Sequence, residues 1–140
     1  MKIGNCEAMA SSETRVCDLR CQEPTTASPD ESAGIAWERM VSSDVDHLVV
    51  LQEGHVVGML WRADLSGPKG GTHRRMGRRV GELMHRDVVT TTSRTALRRA
   101  ATLMCRRRTD CLLIVDRQRL TGVLTVWHLL AWLVRHGKPK

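Results

Sequence analysis

Phenylalanine and tyrosine are absent from this chain, and four tryptophans are all the large aromatics it has. Proteins that grip single-stranded nucleic acid stack bases on many aromatic rings, so that function is not expected. Long apolar runs are missing too. The one near the C-terminus, from Val123, is broken by Thr125 and His128 and falls far short of the ~20 residues a membrane span requires. The opening stretch "MKIGNCEAMASSETR" holds one lysine and no apolar core of signal-peptide length, so the protein is expected to be cytoplasmic. The five cysteines are odd in number and follow no framework spacing, so they read as reduced thiols. Cys17 and Cys21 form a lone C-x3-C that would have to borrow Cys6 or His47 to hold zinc, and no metal site is expected. No Ser-His-Asp or Cys-His arrangement can be assembled, and "GPKGG" lacks the glycine-lysine-hydroxyl order of a phosphate-cradling loop. The chain is not expected to be an enzyme.

What is present is a compact globular composition with an uneven charge. At 140 residues and 41% hydrophobic content, the chain can hide roughly two thirds of the surface its unfolded form exposes. Residues 1–65 carry a net charge of −6 and residues 66–140 a net charge of +13, nearly all the basic groups being arginine. Two such halves can satisfy each other within a chain or between chains. Nucleic-acid binding by the basic half would need a DNA-binding pattern, and none is found.

Sliding the chain against itself by 64 positions aligns residues 15–65 with 79–129 without a gap. Arg15, Val16, Leu19, Thr26, Ala36, Met40, Leu48, Gly58, Leu60 and Leu65 meet Arg79, Val80, Leu83, Thr90, Ala100, Met104, Leu112, Gly122, Leu124 and Leu129. In the second copy, "DVVTTTS" has the β-branched character of a strand. Thr95 is placed to cap a helix with an apolar face of Leu97, Ala100, Ala101 and Met104. "CLLIVD" follows as a buried strand, "RQR" as a tight turn, "LTGVLT" as a returning strand and "VWHLLAWLVR" as a closing helix. The first copy repeats this with "EPTTAS", a helix buried through Ala33, Ala36, Trp37 and Met40, then "HLVVL", "QEGH", "VVGML" and a helix beginning near Arg62. The order is β-α-β-β-α twice. A lone copy would be marginally stable, so the two are expected to share a core. The implied organisation is a flexible leader (1–14), repeat one (15–65), a basic Gly-rich linker (66–78), repeat two (79–134) and a basic tail (135–140).

Two such copies, each with a strand-borne glycine running into a final helix, resemble a tandem pair of cystathionine β-synthase (CBS) domains, a Bateman module. The similarity covers residues 15 to about 134 through the skeleton "VGELM.RDVVTTTS...L..AA.LM......LLIVD...LTGVLT...LL". It implies an α+β fold of two β-α-β-β-α CBS repeats packed as a pseudo-symmetric pair. It also implies a regulatory role through an adenosine-containing ligand (AMP, ADP, ATP or S-adenosylmethionine) held in clefts between the copies, with no cofactor required. In the family motif, a strand ending in Ser or Thr and feeding a helix aims a hydroxyl and free backbone N–H groups at an anion, and an Asp three residues later accepts from both ribose hydroxyls.

Here that motif is divided. "GMLWRAD" keeps the ribose-type Asp64 but has Trp61 at the hydroxyl position, while "GVLTVWH" keeps Thr125 but has His128 at the carboxylate position. Trp61 is either an adenine-stacking ring or core filler. His128 is either a ribose or phosphate contact or the partner of a nearby backbone group, and Thr125 either a ligand hydroxyl or a helix cap. Thr26 and Thr90 fall where the resemblance implies a cleft wall, with plain strand packing as the alternative. Arg74, Arg75, Arg78 and Arg79 are candidates for phosphate contact or for a solvated charge run. These features suggest a stand-alone sensor that signals to an unidentified partner protein. The alternative is a ligand-free, dimeric assembly module with degenerate clefts. The resemblance implies a homodimer formed through helices, with Trp132 and Leu133 as contact candidates.

Overall fold

The periodicities of the sequence become elements in the order they were written. In this computed structural model, which describes residues 13–19, 21, 23–65 and 77–137, repeat one runs through β1 (Thr26–Ala27), α1 (Ala33–Ser43), β2 (His47–Gln52), β3 (His55–Trp61) and the single turn α2 (Arg62–Leu65). Repeat two runs through α3 (Val80–Leu83), β4 (Thr90–Thr91), α4 (Leu97–Arg107), β5 (Cys111–Asp116), β6 (Arg119–Thr125) and α5 (Val126–His136). Cys6, Arg74, Arg75, most of the anticipated linker and the last three residues lie outside the described residues.

Each repeat makes its own three-stranded sheet, β1-β2-β3 and β4-β5-β6, giving the expected α+β class. The helix between the first two strands is a crossover, so β1 lies parallel to β2 with Thr26 opposite Val49, and β4 parallel to β5 with Thr90 opposite Leu113. The next connection is a hairpin, and β2 and β3 are antiparallel. Its tip needs two residues at positive φ, supplied by Glu53 (53°) and Gly54 (83°); the second hairpin uses Arg117 (51°) and Gln118 (67°). Ala33, Ala36 and Met40 of α1, and Leu97, Ala100 and Met104 of α4, are buried at the spacing that puts them on one helix face. Both helices end on a left-handed residue, Asp44 and Arg108, whose N–H returns to the last turn.

The helix starts show how the repeats depend on each other. Ser32 caps α1 through its hydroxyl, 3.2 Å from the Gly34 nitrogen. Thr95 does not cap α4: the cap position belongs to Ala96, and the Thr95 hydroxyl turns to Thr92, 2.9 Å away. A leader segment does the capping instead. The Thr14 carbonyl accepts from Leu97 N–H at 2.8 Å, Val16 N–H donates to Thr95 O at 2.9 Å, and Cys17 N–H donates to Ser93 O at 2.8 Å. Sixty-four residues on, the Arg78 carbonyl accepts from Ala33 N–H, Val80 N–H donates to Glu31 O, and Gly81 N–H donates to Pro29 O, each at 2.9 Å. A β-carbon at Gly81 would be tight, 3.1 Å from Pro29 Cβ and 3.2 Å from Pro29 O.

The opening segment of each repeat, residues 14–19 and 78–85, is thus a leader exchanged with the other copy. Val16, from the start of repeat one, is fully buried among Ala100, Met104, Leu112, Ile114 and Leu124 of repeat two. Val80, from the start of repeat two, is fully buried among Ala36, Met40, Leu48, Val50 and Leu60 of repeat one. Burying each valine is worth about 1.5–3 kcal/mol. Contacts accordingly divide the described residues into one unit within 23–88 with the hairpin tip 117–120, and another of those before 23 with 89–116 and 121–137.

Asp116 braces the loop that receives Cys17. Its Oδ1 accepts from Ser93 N–H and its Oδ2 from the Thr121 hydroxyl, both at 3.0 Å. The Ser93 backbone hydrogen bond is the main cause holding this carboxyl below its ordinary 3.8, with burial opposing. A lowered folded value stabilises the protein fully above the ordinary carboxylate range, and that contribution disappears as pH falls past 3.8 and through the lowered value. Asp116→Asn is expected to flatten this part of the acid-unfolding curve followed by circular dichroism. A second expectation concerns the hairpin: Gln118→Gly, removing a side chain from φ 67°, should raise stability by about 0.5–1 kcal/mol in urea titration.

Candidate functional site

Each repeat closes its hairpin into a helix through the same backbone corner. In repeat one, β3 ends at Trp61 opposite His47, and the next N–H, of Arg62, donates to Asp46 O at 2.8 Å. In repeat two, β6 ends at Thr125, and Val126 N–H donates to Asp110 O at 3.0 Å. The corner is a property of the duplicated fold. The side chains around it differ.

At the first corner, the Asp64 carboxylate is already engaged: its Oδ2 lies 2.6 Å from His85 Nε2, with the Asp64 side chain one-third exposed. His85 arrives with the exchanged leader. Its N–H donates to Met59 O at 2.7 Å and its carbonyl accepts from Met59 N–H at 2.9 Å, fastening this stretch to the edge of β3. The approach is so close that a β-carbon at Gly58 would stand 2.7 Å from His85 O and 2.8 Å from Met84 Sδ, which is why the repeat carries glycine here. Trp61 packs by its ring on buried His47, centroids 5.4 Å apart and planes tilted by 56°. His47 Nδ1 lies 2.9 Å from Asp46 Oδ1.

The second corner answers why Thr125 and His128 stand three residues apart. Thr125 is the extended residue preceding α5, and its N–H donates to His128 Nδ1 at 2.9 Å. The Thr125 hydroxyl lies 3.0 Å from the same nitrogen. This is the returning arm of a capping box, with an imidazole where a carboxylate usually stands. The leaders use the carboxylate version: Arg15 N–H donates to Asp18 Oδ2 at 2.8 Å and Arg79 N–H to Glu82 Oε1 at 3.0 Å. Because Nδ1 accepts from a backbone N–H, the neutral imidazole carries its hydrogen on Nε2.

The other candidates are distributed as follows. Thr26 and Thr90 are exposed residues of β1 and β4, each followed by a buried neighbour; the Thr26 carbonyl accepts from Arg39 Nη1 at 2.8 Å. Arg39 also pairs at 2.5 Å with Glu31, whose carboxyl is held down by that arginine and by Ser28 N–H although burial alone would raise it. Arg79 Nη1 donates to Asp30 O at 3.1 Å, fixing the leader, and Arg78 is exposed. Asp64, Trp61, Thr26, Arg78 and Arg79 belong to one unit, and Thr90, Thr125 and His128 to the other. Trp132 stacks near His136 at 5.1 Å and Leu133 is half exposed; both line an apolar groove of about 530 Å³ with Leu97, Ala101, Leu129 and Leu130. Sequence reasoning missed His85 and Asp46, since nothing in their local pattern marks a site.

Comparisons with known proteins bear on the family and the fold. Residues 16–65 and 80–135 each match the CBS domain. Among solved structures, the CBS domain pair of protein MJ0100, in complex with 5′-methylthioadenosine and S-adenosyl-L-methionine, is 22% identical with a TM-score of 0.76, over 88% of this chain and 98% of that one. CBSX2 from Arabidopsis thaliana is 23% identical with a TM-score of 0.76, over 92% and 100%. The hexameric CBS-CP12 protein from bloom-forming cyanobacteria is 17% identical with a TM-score of 0.77, over 91% and 74%. At such identities the likeness is one of fold. For the second corner, His128→Ala is expected to lower stability by about 1 kcal/mol in thermal denaturation, whereas His128→Asp, which keeps an acceptor for Thr125 N–H, should stay near the parent.

Proposed function

The chain belongs to the CBS domain family, and from that premise we propose that it is a regulatory module binding an adenosine-containing ligand, AMP, ADP, ATP or S-adenosylmethionine, and relaying occupancy to a partner protein in the cytoplasm. The observation that carries this reading is the pair of corners closed by corresponding backbone hydrogen bonds, one presenting Asp64 beside the strand end and the other Thr125. The MJ0100 pair, with two adenosine compounds bound, supports the ligand class. In this reading Asp64 accepts from ribose hydroxyls in place of, or together with, His85. Thr125 offers its hydroxyl to an anion, Trp61 borders the base, and Thr26 and Thr90 line the strand side. Arg74, Arg75, Arg78 and Arg79 remain candidates for phosphate contact.

Family pairs of this kind are regulatory rather than catalytic. Among the described residues no helix is long and apolar enough to cross a membrane.

A second reading, assembly, is favoured by α5. None of its eleven residues is buried, and Trp127 and Val134 are 76% and 85% exposed. Apolar side chains so placed fit a homodimer through helices, with Trp132 and Leu133 at the contact; the cyanobacterial neighbour is a hexamer. Light scattering during a salt titration separates an apolar contact, which persists, from a charge-paired one, which loosens.

Isothermal titration with the four ligands is expected to give saturable heat for at least one. Asp64→Asn should then weaken it by about tenfold or more, the consequence of losing hydrogen bonds to a charged acceptor. No heat and no thermal shift with any of the four would sink the sensor reading.

A further inference from the structure

A polar groove shares no lining residue with either corner. In the unit built on repeat two, the outer side of α4 carries a groove of about 780 Å³ whose wall holds Arg15, Arg94, Arg98, Arg99 and Arg106, with Glu13 its one carboxylate. Arg15 is oriented by a hydrogen bond from its guanidinium to the Arg94 carbonyl. Among the described residues, no salt bridge involves Arg98, Arg99 or Arg106.

The fold itself does not ask for these charges. At the 64-residue offset, Arg94, Arg98, Arg99 and Arg106 correspond to Asp30, Gly34, Ile35 and Ser42, and α1 forms without them. They also sit where they are least welcome to the helix. The first turn of α4 has no acidic residue and its cap, Ala96, offers no side-chain acceptor. Arg98 and Arg99 therefore add to the positive end of the helix dipole instead of opposing it. An anion offsets both.

Spacing narrows the class of anion. Arg99 and Arg106 are seven residues apart, two turns or roughly 10 Å along the axis, and Thr102 lies between them on the same wall. One phosphate can reach only one end of that row. Guanidinium forks match phosphate oxygens in pairs, so a row of them suits successive phosphates. The wall contains no aromatic ring on which a base would stack.

We propose that this groove binds a chain of phosphates, either an inorganic oligophosphate or the polyphosphate tail of a nucleotide, independently of the two corners. Calorimetry on the full chain at low ionic strength tests it with tripolyphosphate, orthophosphate and ATP. Tripolyphosphate is expected to bind at least about tenfold more tightly than orthophosphate, with ATP competing if the tail of a nucleotide is the source and leaving tripolyphosphate in place if it is not. The triple variant Arg98→Gln, Arg99→Gln, Arg106→Gln should lose about a hundredfold or more in tripolyphosphate affinity, since each lost charge-assisted contact is worth about tenfold. Arg117→Gln, Arg119→Gln, Arg135→Gln removes equal charge elsewhere and should change affinity by less than about threefold. Asp64→Asn should leave tripolyphosphate binding untouched, so this outcome is independent of the adenosine reading.

Three results overturn the proposal. Equal losses in the two triple variants would show only diffuse attraction to a basic protein. Orthophosphate binding as tightly as tripolyphosphate would remove the row. A change confined to the sedimentation coefficient of the first triple variant, with tripolyphosphate affinity intact, would assign the arginines to the acidic surface of a second copy.

Discussion

A buried valine and three backbone hydrogen bonds at each exchanged leader hold the start of one repeat against the helix of the other. Without them, α4 would begin on Ala96 with unsatisfied N–H groups, and the surfaces covered by Val16 and Val80 would face water. A fifty-residue repeat has too little interior to tolerate such a loss. The exchange also explains details scattered along the chain. Pro29 lies close against Gly81, and Asp116 is spent on Ser93 because that loop must be in place to accept Cys17.

The same exchange shapes the candidate corners. Because repeat two's leader runs along β3, it brings His85 to Asp64, so that carboxylate already has a hydrogen-bonding neighbour. At the other corner the position of Asp64 is taken by His128, whose Nδ1 is committed to Thr125 N–H. One corner therefore offers a carboxylate with a competing partner. The other offers a hydroxyl held by the imidazole that caps its helix.

Charge follows the division between repeats rather than the fold. Equivalent positions before and along α1 and α4 carry Asp30, Glu31 and Glu38 in one repeat and Arg94, Thr95 and Thr102 in the other. The backbone around them superposes residue for residue in its hydrogen bonds, down to the left-handed caps at Asp44 and Arg108. Since solvent-facing positions bear little on a helix's packing, the two copies were free to diverge there while Ala36 and Ala100, Met40 and Met104, and Leu60 and Leu124 stayed the same.

Sequence alone determined the element order, the buried faces of α1 and α4, the hairpin positions and the family resemblance. These follow from short-range periodicity, since the spacing of apolar side chains decides which face of a helix or strand leaves water. It also singled out Thr125 and His128 as a spaced pair, leaving open whether they serve a ligand or the helix. Only the tertiary structure decided that the imidazole caps α5, that Ala96 replaces Thr95 at the start of α4, that Asp64 meets His85, and that each leader belongs to the other repeat's core. Those outcomes depend on which N–H groups local folding leaves unsatisfied and which other segment fits them, and no local spacing encodes a complementarity between residues tens of positions apart.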